Sequence, residues 1–267
     1  MSTLSTIEKG KPLHRGILVM AAVAVAMSWP PQTHAQNGPV RITILGDSID
    51  ADQPAERPVQ GWGTYLESKL QNVRVANYAS SGRSTKTYLR GAAGAGGKHI
   101  EPKFWIKAQA TPADYWIVKF GGNDSHPATE EKHTDPDTEY AANLRVFIET
   151  ARKLGVRPIL VTPFRRPFRS NGQLSAELEP YAEAVRVVAK KENVPLIDLY
   201  KHATDWFTSL GPAGLQAYVP KDLGGHMNRA GALLIAQWMA EQLVKIVPVL
   251  RLAATPESGN VLNGRGL

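Results

Sequence analysis

Five short runs of apolar and β-branched residues, at 40–45, 73–78, 115–120, 158–162 and 195–199, alternate along this chain with longer stretches of helical character. A run of that length, apolar throughout and closed by turn residues, suits a strand buried on both faces. Helical patterns fill the intervals at 61–70, 101–109, 137–154 and 179–192, and a last amphipathic stretch covers 229–246. Pro102 and Pro180 fall in first turns, where the missing N–H costs nothing. Asp137 is placed to cap its helix and Gly155 to end it. Strands separated by helices pair in parallel through right-handed crossovers. The expected fold is therefore α/β, a three-layer α/β/α sandwich on a five-stranded parallel sheet. Ligands bind such sheets beyond the carboxyl ends of the strands.

The N-terminus reads differently. Lys9, Lys11 and Arg15 precede an apolar run at 16–27, and a polar stretch then ends in Thr33-His34-Ala35. That is the pattern of a secretory signal peptide cut after Ala35, and an uncleaved anchor is the alternative. The expected organisation is a signal peptide over 1–35, a linker over 36–39, one domain over 40–250 and a loosely ordered tail over 251–267. The expected location is secreted or periplasmic, with no stable membrane association after cleavage. Cysteine is absent, which excludes thiolate metal sites and a cysteine nucleophile. The seven histidines are scattered, with no helical His-Glu-x-x-His pair, so no metal site is expected. The net charge of +7 is spread along the chain, and no nucleic-acid motif accompanies it. The glycine-rich stretch at 91–99 lacks the first glycine and the Ser/Thr of a phosphate loop and reads as a flexible loop.

Chemistry concentrates in four blocks: Gly46-Asp47-Ser48, Ser81-Gly82-Arg83-Ser84, Gly121-Gly122-Asn123-Asp124, and the segment from Asp222 to His226. The first three each follow an expected strand, so all three fall on one rim of the sheet. A serine hydroxyl attacks an ester only when a base takes its proton and donors await the oxyanion. Ser48 is the candidate nucleophile and His226 the base, with Asp222 as the carboxylate that orients it. Ser48, Gly82 and Asn123 supply the candidate oxyanion donors. Each block alone reads more readily as turn or structural chemistry. Together they point to an acyl-ester hydrolase.

These blocks resemble the signatures of the SGNH (GDSL) hydrolase superfamily, within it the rhamnogalacturonan acetylesterase-like carbohydrate esterases. Gly61-Trp62-Gly63, the stretch from Asn77 to Thr85, Thr162-Pro163-Phe164-Arg165-Arg166 and His226-Met227-Asn228-Arg229-Ala230-Gly231-Ala232 extend the likeness over about 41–243. The resemblance implies a flavodoxin-like sheet, no cofactor, and removal of acetyl groups from pectic or related polysaccharides. It assigns the same catalytic and oxyanion roles to Ser48, His226, Asp222, Gly82 and Asn123. Two positions depart from the pattern. The acid usually stands three residues before the histidine, where this chain has Leu223, and Gly122 stands where a histidine is common.

For the substrate, Trp62, Tyr65, Tyr88 and Trp105 offer apolar faces to a sugar, each also a core candidate. Arg83, Lys86, Arg165 and Arg166 offer charge to uronate carboxylates, and His126 follows Asn123 closely enough to line the pocket. The expected partner is an acetylated polysaccharide or another short-chain acyl ester. A lipase, thioesterase or aryl esterase on a small acyl ester is the first alternative. The second is a non-catalytic carbohydrate-binding protein on the same scaffold.

Overall fold

The central strand of the sheet is buried along its whole length. Tyr115–Lys119 is labelled β5, and in the computed structural model of the chain its neighbours pair with it in parallel on both sides. The structure describes residues 38–93, 99–127 and 130–254. The expected signal peptide, the first half of the linker (36–37) and the tail beyond residue 254 lie outside the described residues, as do residues 94–98 of the glycine-rich loop.

Strands β1 (Val40–Gly46), β2 (Val73–Asn77), β5, β6 (Arg157–Val161) and β7 (Leu196–Ile197) form one five-stranded parallel sheet in the order β2-β1-β5-β6-β7. Two short strands, β3 (Ala92–Ala93) and β4 (His99–Ile100), pair antiparallel outside it. Because side chains alternate along a strand, each strand feeds two cores. Ile42, Ile44, Ile117 and Ile159 pack on one face with α1 (Gly63–Leu66), α6 (Leu199–Leu215) and α7 (Arg229–Ile246). Leu45, Trp116, Val118 and Leu160 pack on the other with α4 (Ala141–Lys153) and α5 (Glu179–Glu192). The short α2 (Thr85–Arg90) and α3 (Lys103–Ala110) complete this second layer. The expected three-layer α/β/α fold is present.

The differences in detail have local causes. The helix expected over 61–70 is the single turn α1 followed by a 3-10 turn, Glu67–Lys69. The cap expected at Asp137 is Asp135, whose carboxylate accepts the N–H groups of Asp137 and Thr138 ahead of a π turn, Pro136–Tyr140. Gly155 does stop α4, at φ +71°. Helix α6 has no counterpart in the expectations; a break at Gly211 and Pro212 hides its periodicity. The start of the expected tail is tied down, with Ala253 N donating to Lys69 O and Gln71 N to Arg251 O.

From β1 the chain crosses to β2 on one side, and the later strands build outward on the other. The crevice at the carboxyl ends of β1 and β5 is thus a topological switch point, where open α/β sheets bind ligands.

Candidate active site

Strand β1 runs directly into the turn that carries Ser48. Asp50 N and Ala51 N donate to the Asp47 carbonyl, closing the turn. The side chains brace it from below: Ile49 N donates to Asp47 Oδ1 at 2.9 Å, and Asp47 N to Asp50 Oδ2 at 3.0 Å. Gly46 is required here, since a Cβ would come within 2.0 Å of Asp50 Oδ2 and 2.9 Å of the Lys119 carbonyl. Lys119, at the end of β5, reaches under the same turn, with Nζ 2.7 Å from Asp47 Oδ1 and 3.4 Å from Asp50 Oδ2. All three side chains are at most 2% exposed.

Two carboxylates and one ammonium in a dry pocket cannot all carry charge at equal cost. Burial pushes the Asp50 carboxyl up to about 8, against the pull of Lys119 and with the push of Asp47. Burial also opposes the charge on Lys119, but the two aspartates outweigh it and hold that ammonium above its ordinary range. Asp50 Oδ1 and Asp47 Oδ2 have no hydrogen-bond partner among the described residues, in keeping with a proton retained on the pair. Burial thus favours a proton on Asp50, while the facing aspartates favour the charge on Lys119.

His226 arrives from the far end of the chain, in the loop before α7. Gly224 and Gly225, at φ +59° and +85°, reverse the chain there, and the fully buried Met227 anchors it to the core. Gln60 N donates to the Met227 carbonyl and ties this loop to the segment after Ser48. His226 Nε2 stands 2.7 Å from Ser48 Oγ. Its Nδ1 stands 2.9 Å from the Leu223 carbonyl oxygen. A carbonyl only accepts, so Nδ1 carries the proton and Nε2 is free to accept from Ser48.

Asp222, expected to orient this ring, is not its hydrogen-bond partner in the structure. It lies exposed in a 3-10 turn, Lys221–Leu223, and its carboxylate has no hydrogen-bond or ion-pair partner among the described residues. The four-residue spacing leaves Asp222 on the outer side of that turn. The reversal at Gly224 and Gly225 returns the Leu223 carbonyl to the ring instead.

Of the candidate oxyanion donors, Asn123 lines the cleft beside Ser48, and its bond to Arg83 O ties it to the residue after Gly82. Gly82 adopts φ +75°, a conformation suited to glycine. Among the described residues neither its N–H nor that of Ser48 is taken up by an acceptor. Asn123 Nδ2 donates to Arg83 O at 3.1 Å, and the amide has a second hydrogen to give. Asp124 fixes all of this. Fully buried, it accepts from Thr85 N at 3.0 Å, from the Thr85 hydroxyl, from Thr134 Oγ1 at 2.8 Å and from Gly121 N at 3.2 Å. Burial pushes its carboxyl up to about 6 even though Thr85 and Thr134 hydrogen-bond the ionised form.

A cleft of about 70 Å³ opens between these groups, walled by Ser48, Gly122, Asn123, His126, Arg166 and His226 among others. Arg166 braces its rim, donating to Gly122 O at 2.9 Å and lying 3.3 Å from His126 Nε2 and 3.7 Å from Glu177. Burial first, then the charge of Arg166, holds His126 below the usual histidine value.

The expected sugar contacts fare unevenly. Trp62 is fully buried in the core under α1 and α7 and offers no face to a substrate. Tyr88 is buried as well, and Trp105 packs edge-on against Trp116 and Phe147. Tyr65 is half-buried and donates to Gln60. Arg165 touches the cleft, but its guanidinium turns to Thr204 at 3.0 Å and to the ring of Tyr200. Lys86 donates to the Glu130 and His133 carbonyls. Arg83 is half-buried, with no side-chain partner among the described residues. Sequence reasoning gave no role to Lys119, Asp50 or Asp124. Only Lys119 left a signal, as a charged residue inside an apolar run. Among the described residues, no group of three or more histidine, aspartate or glutamate side chains could hold a metal ion.

Comparison with known proteins gives the family. The chain is 31% identical over 211 residues to a probable rhamnogalacturonan acetylesterase, YesY, of Bacillus subtilis, covering 77% of this chain and 93% of that one. It is 33% identical over 178 residues to the rhamnogalacturonan acetylesterase RhgT of the same organism, covering 65% and 71%. The crystal structure of Bacillus subtilis protein YxiM superposes with a TM-score of 0.62 at 27% identity, over 79% of this chain and 57% of that one. An acetylxylan esterase from Geobacillus stearothermophilus, Axe2, shares the fold at a TM-score of 0.59 and 22% identity, over 77% and 95%. The model of the GDSL-like lipase/acylhydrolase family matches residues 44–234. With that match spanning well over half of its length, the chain belongs to the GDSL-like lipase/acylhydrolase family and is a carboxylic ester hydrolase.

Proposed function

We propose that this protein is an exported serine esterase that removes acetyl groups from an acidic, pectin-type polysaccharide such as rhamnogalacturonan. The observation that carries the reading is the 2.7 Å contact between Ser48 Oγ and His226 Nε2, on a cleft that Asn123 also lines. The small cleft suits a short acyl group. The names of two relatives, both rhamnogalacturonan acetylesterases, support the polymer class. The basic and apolar leader at 1–35 supports export, and among the described residues no helix is long and apolar enough to cross a membrane.

In this mechanism Ser48 Oγ attacks the acetyl carbonyl carbon while His226 Nε2 takes its proton. The oxyanion accepts from the N–H groups of Ser48 and Gly82 and from the Asn123 amide. As the intermediate collapses, His226 returns the proton to the sugar oxygen, which leaves as a hydroxyl. Water, deprotonated by the same nitrogen, then attacks the acetyl-serine and releases acetate. The Leu223 carbonyl holds the ring in the competent tautomer, so the unit acts as a Ser–His dyad.

The test is acetate release from acetylated rhamnogalacturonan, acetylated xylan and an aryl acetate, by wild type and by S48A, H226A and D222N. Release should vanish in the first two variants and stay within about threefold of wild type in D222N, as a group outside the dyad predicts. A loss in D222N as deep as in H226A would restore the carboxylate to the mechanism. Release from xylan but not from rhamnogalacturonan would reject the polymer class.

A further inference from the structure

The 130–134 segment is fastened to the same carboxylate that sets the oxyanion donors. Thr134 N and His133 Nδ1 lie 3.1 and 3.0 Å from the Asp124 carbonyl, Thr134 Oγ1 donates to Asp124 Oδ1, and Tyr181 OH donates to Thr134 O at 2.8 Å. Lys86 Nζ reaches the Glu130 and His133 carbonyls from α2. Lys132 is therefore presented in fixed register with Gly82 and Asn123. Its Nζ stands 3.8 Å from where a Gly82 Cβ would lie. The side chain is half-buried, yet among the described residues its ammonium has no hydrogen-bond or ion-pair partner. Half-buried cations are normally paired, because losing hydration without a counter-charge is unfavourable. An ammonium held unpaired on a braced segment beside an oxyanion donor is arranged for a ligand's negative charge.

Two such charges are conceivable, the transient oxyanion and a carboxylate of the substrate. Lys132 does not wall the cleft that Ser48 and His226 share, so its charge addresses the sugar and not the acyl group. Arg83, next in chain to Gly82 and likewise without a side-chain partner among the described residues, widens the cationic strip. We propose that Lys132 is a specificity-determining residue that binds the carboxylate of a uronate beside the ester under attack. The choice of ligand rests on the polysaccharide reading above. The contact itself requires only a carboxylated sugar.

The test separates the two. Trigalacturonate, which carries no ester, is titrated calorimetrically into the mature protein and into K132Q and K132R, with xylotriose as the neutral control. The expected result is trigalacturonate binding that weakens about tenfold in K132Q, the worth of one charge-assisted contact, and largely survives in K132R. Xylotriose should bind no more tightly to wild type than to K132Q, and unchanged thermal midpoints should exclude unfolding. Absent trigalacturonate binding in wild type, or equal binding in folded K132Q, overturns the proposal. Acetate release is scored independently: release without trigalacturonate binding keeps the esterase and removes the role of Lys132. Trigalacturonate binding without release keeps Lys132 and removes the esterase.

Discussion

Replacing Lys119 by methionine removes the ammonium under the nucleophile turn while nearly conserving its volume. Burial already raises the Asp50 carboxyl to about 8, so K119M leaves Asp47 and Asp50 buried together without the ammonium that faces them. Breaking a buried ion pair from one side costs roughly 3–5 kcal/mol. Urea unfolding followed by tryptophan fluorescence measures the loss in K119M, in D47N and in the double variant, and an unchanged m-value would show that only stability had moved. The double variant should lose less than the two single losses together. Losses that simply add would refute the electrostatic account and leave packing as the cause. A loss below about 1 kcal/mol in K119M would mean that the pair contributes no more than an exposed one.

Three further outcomes are expected. D124N leaves at least one buried donor of Thr85, Thr134 or Gly121 unpaired, so it should cost about 1–3 kcal/mol. It should also lower kcat/KM about 10- to 100-fold by loosening the oxyanion donors, as paired unfolding and initial-rate measurements would show. Because Asp50 titrates near 8 when folded and at its ordinary acidic value when unfolded, its contribution to stability is whole at low pH and is lost as pH rises through about 8. Thermal midpoints should therefore fall between about pH 6.5 and 8.5, above the titration of Asp124, and D50N should flatten that fall. G46A should destabilise by at least about 2 kcal/mol, because its Cβ meets the Asp50 carboxylate and the Lys119 backbone, neither of which can withdraw from the buried turn. Chemical denaturation reads it, and a loss within 0.5 kcal/mol, about the surface norm, would contradict the packing described.

Much of this fold is written in local pattern. Helices α5 and α7 fall where their apolar spacing puts them, and the strands begin and end within two or three residues of their apolar runs. Such elements bury a continuous stripe or run, and that is what a sequence displays. Helix α6 was illegible because Gly211 at φ +64° and Pro212 interrupt its repeat, and α2 because six residues hold too little of one. At the site, the approach of Asn123 and His226 to Ser48 was legible because the Ser48 and Asn123 blocks end strands of one rim. The partner of His226 was not. Whether a carboxylate or a carbonyl reaches Nδ1 depends on how two glycines turn the chain, and spacing alone does not encode that. Trp62 misled because its neighbours in a matching motif say nothing about which way an indole faces. Lys119 was hidden for the opposite reason. A charge in a buried strand makes sense only once Asp47 and Asp50 are known to lie beneath the neighbouring strand's end.

Ser48 and His226, the proposed nucleophile and base, are 178 residues apart in the chain. Ser48, Gly82 and Asn123 lie in the first half, and His226 waits on the loop that leads into the last helix. A chain growing from its N-terminus thus carries the proposed nucleophile and oxyanion donors long before the base that would activate the serine. Contacts of such wide separation form late, because the loop they close must be ordered first. Hydrolytic competence is for that reason an all-or-nothing property of the finished sheet. A fragment that stops short of α7, however well it folds, holds a serine with no base to activate it.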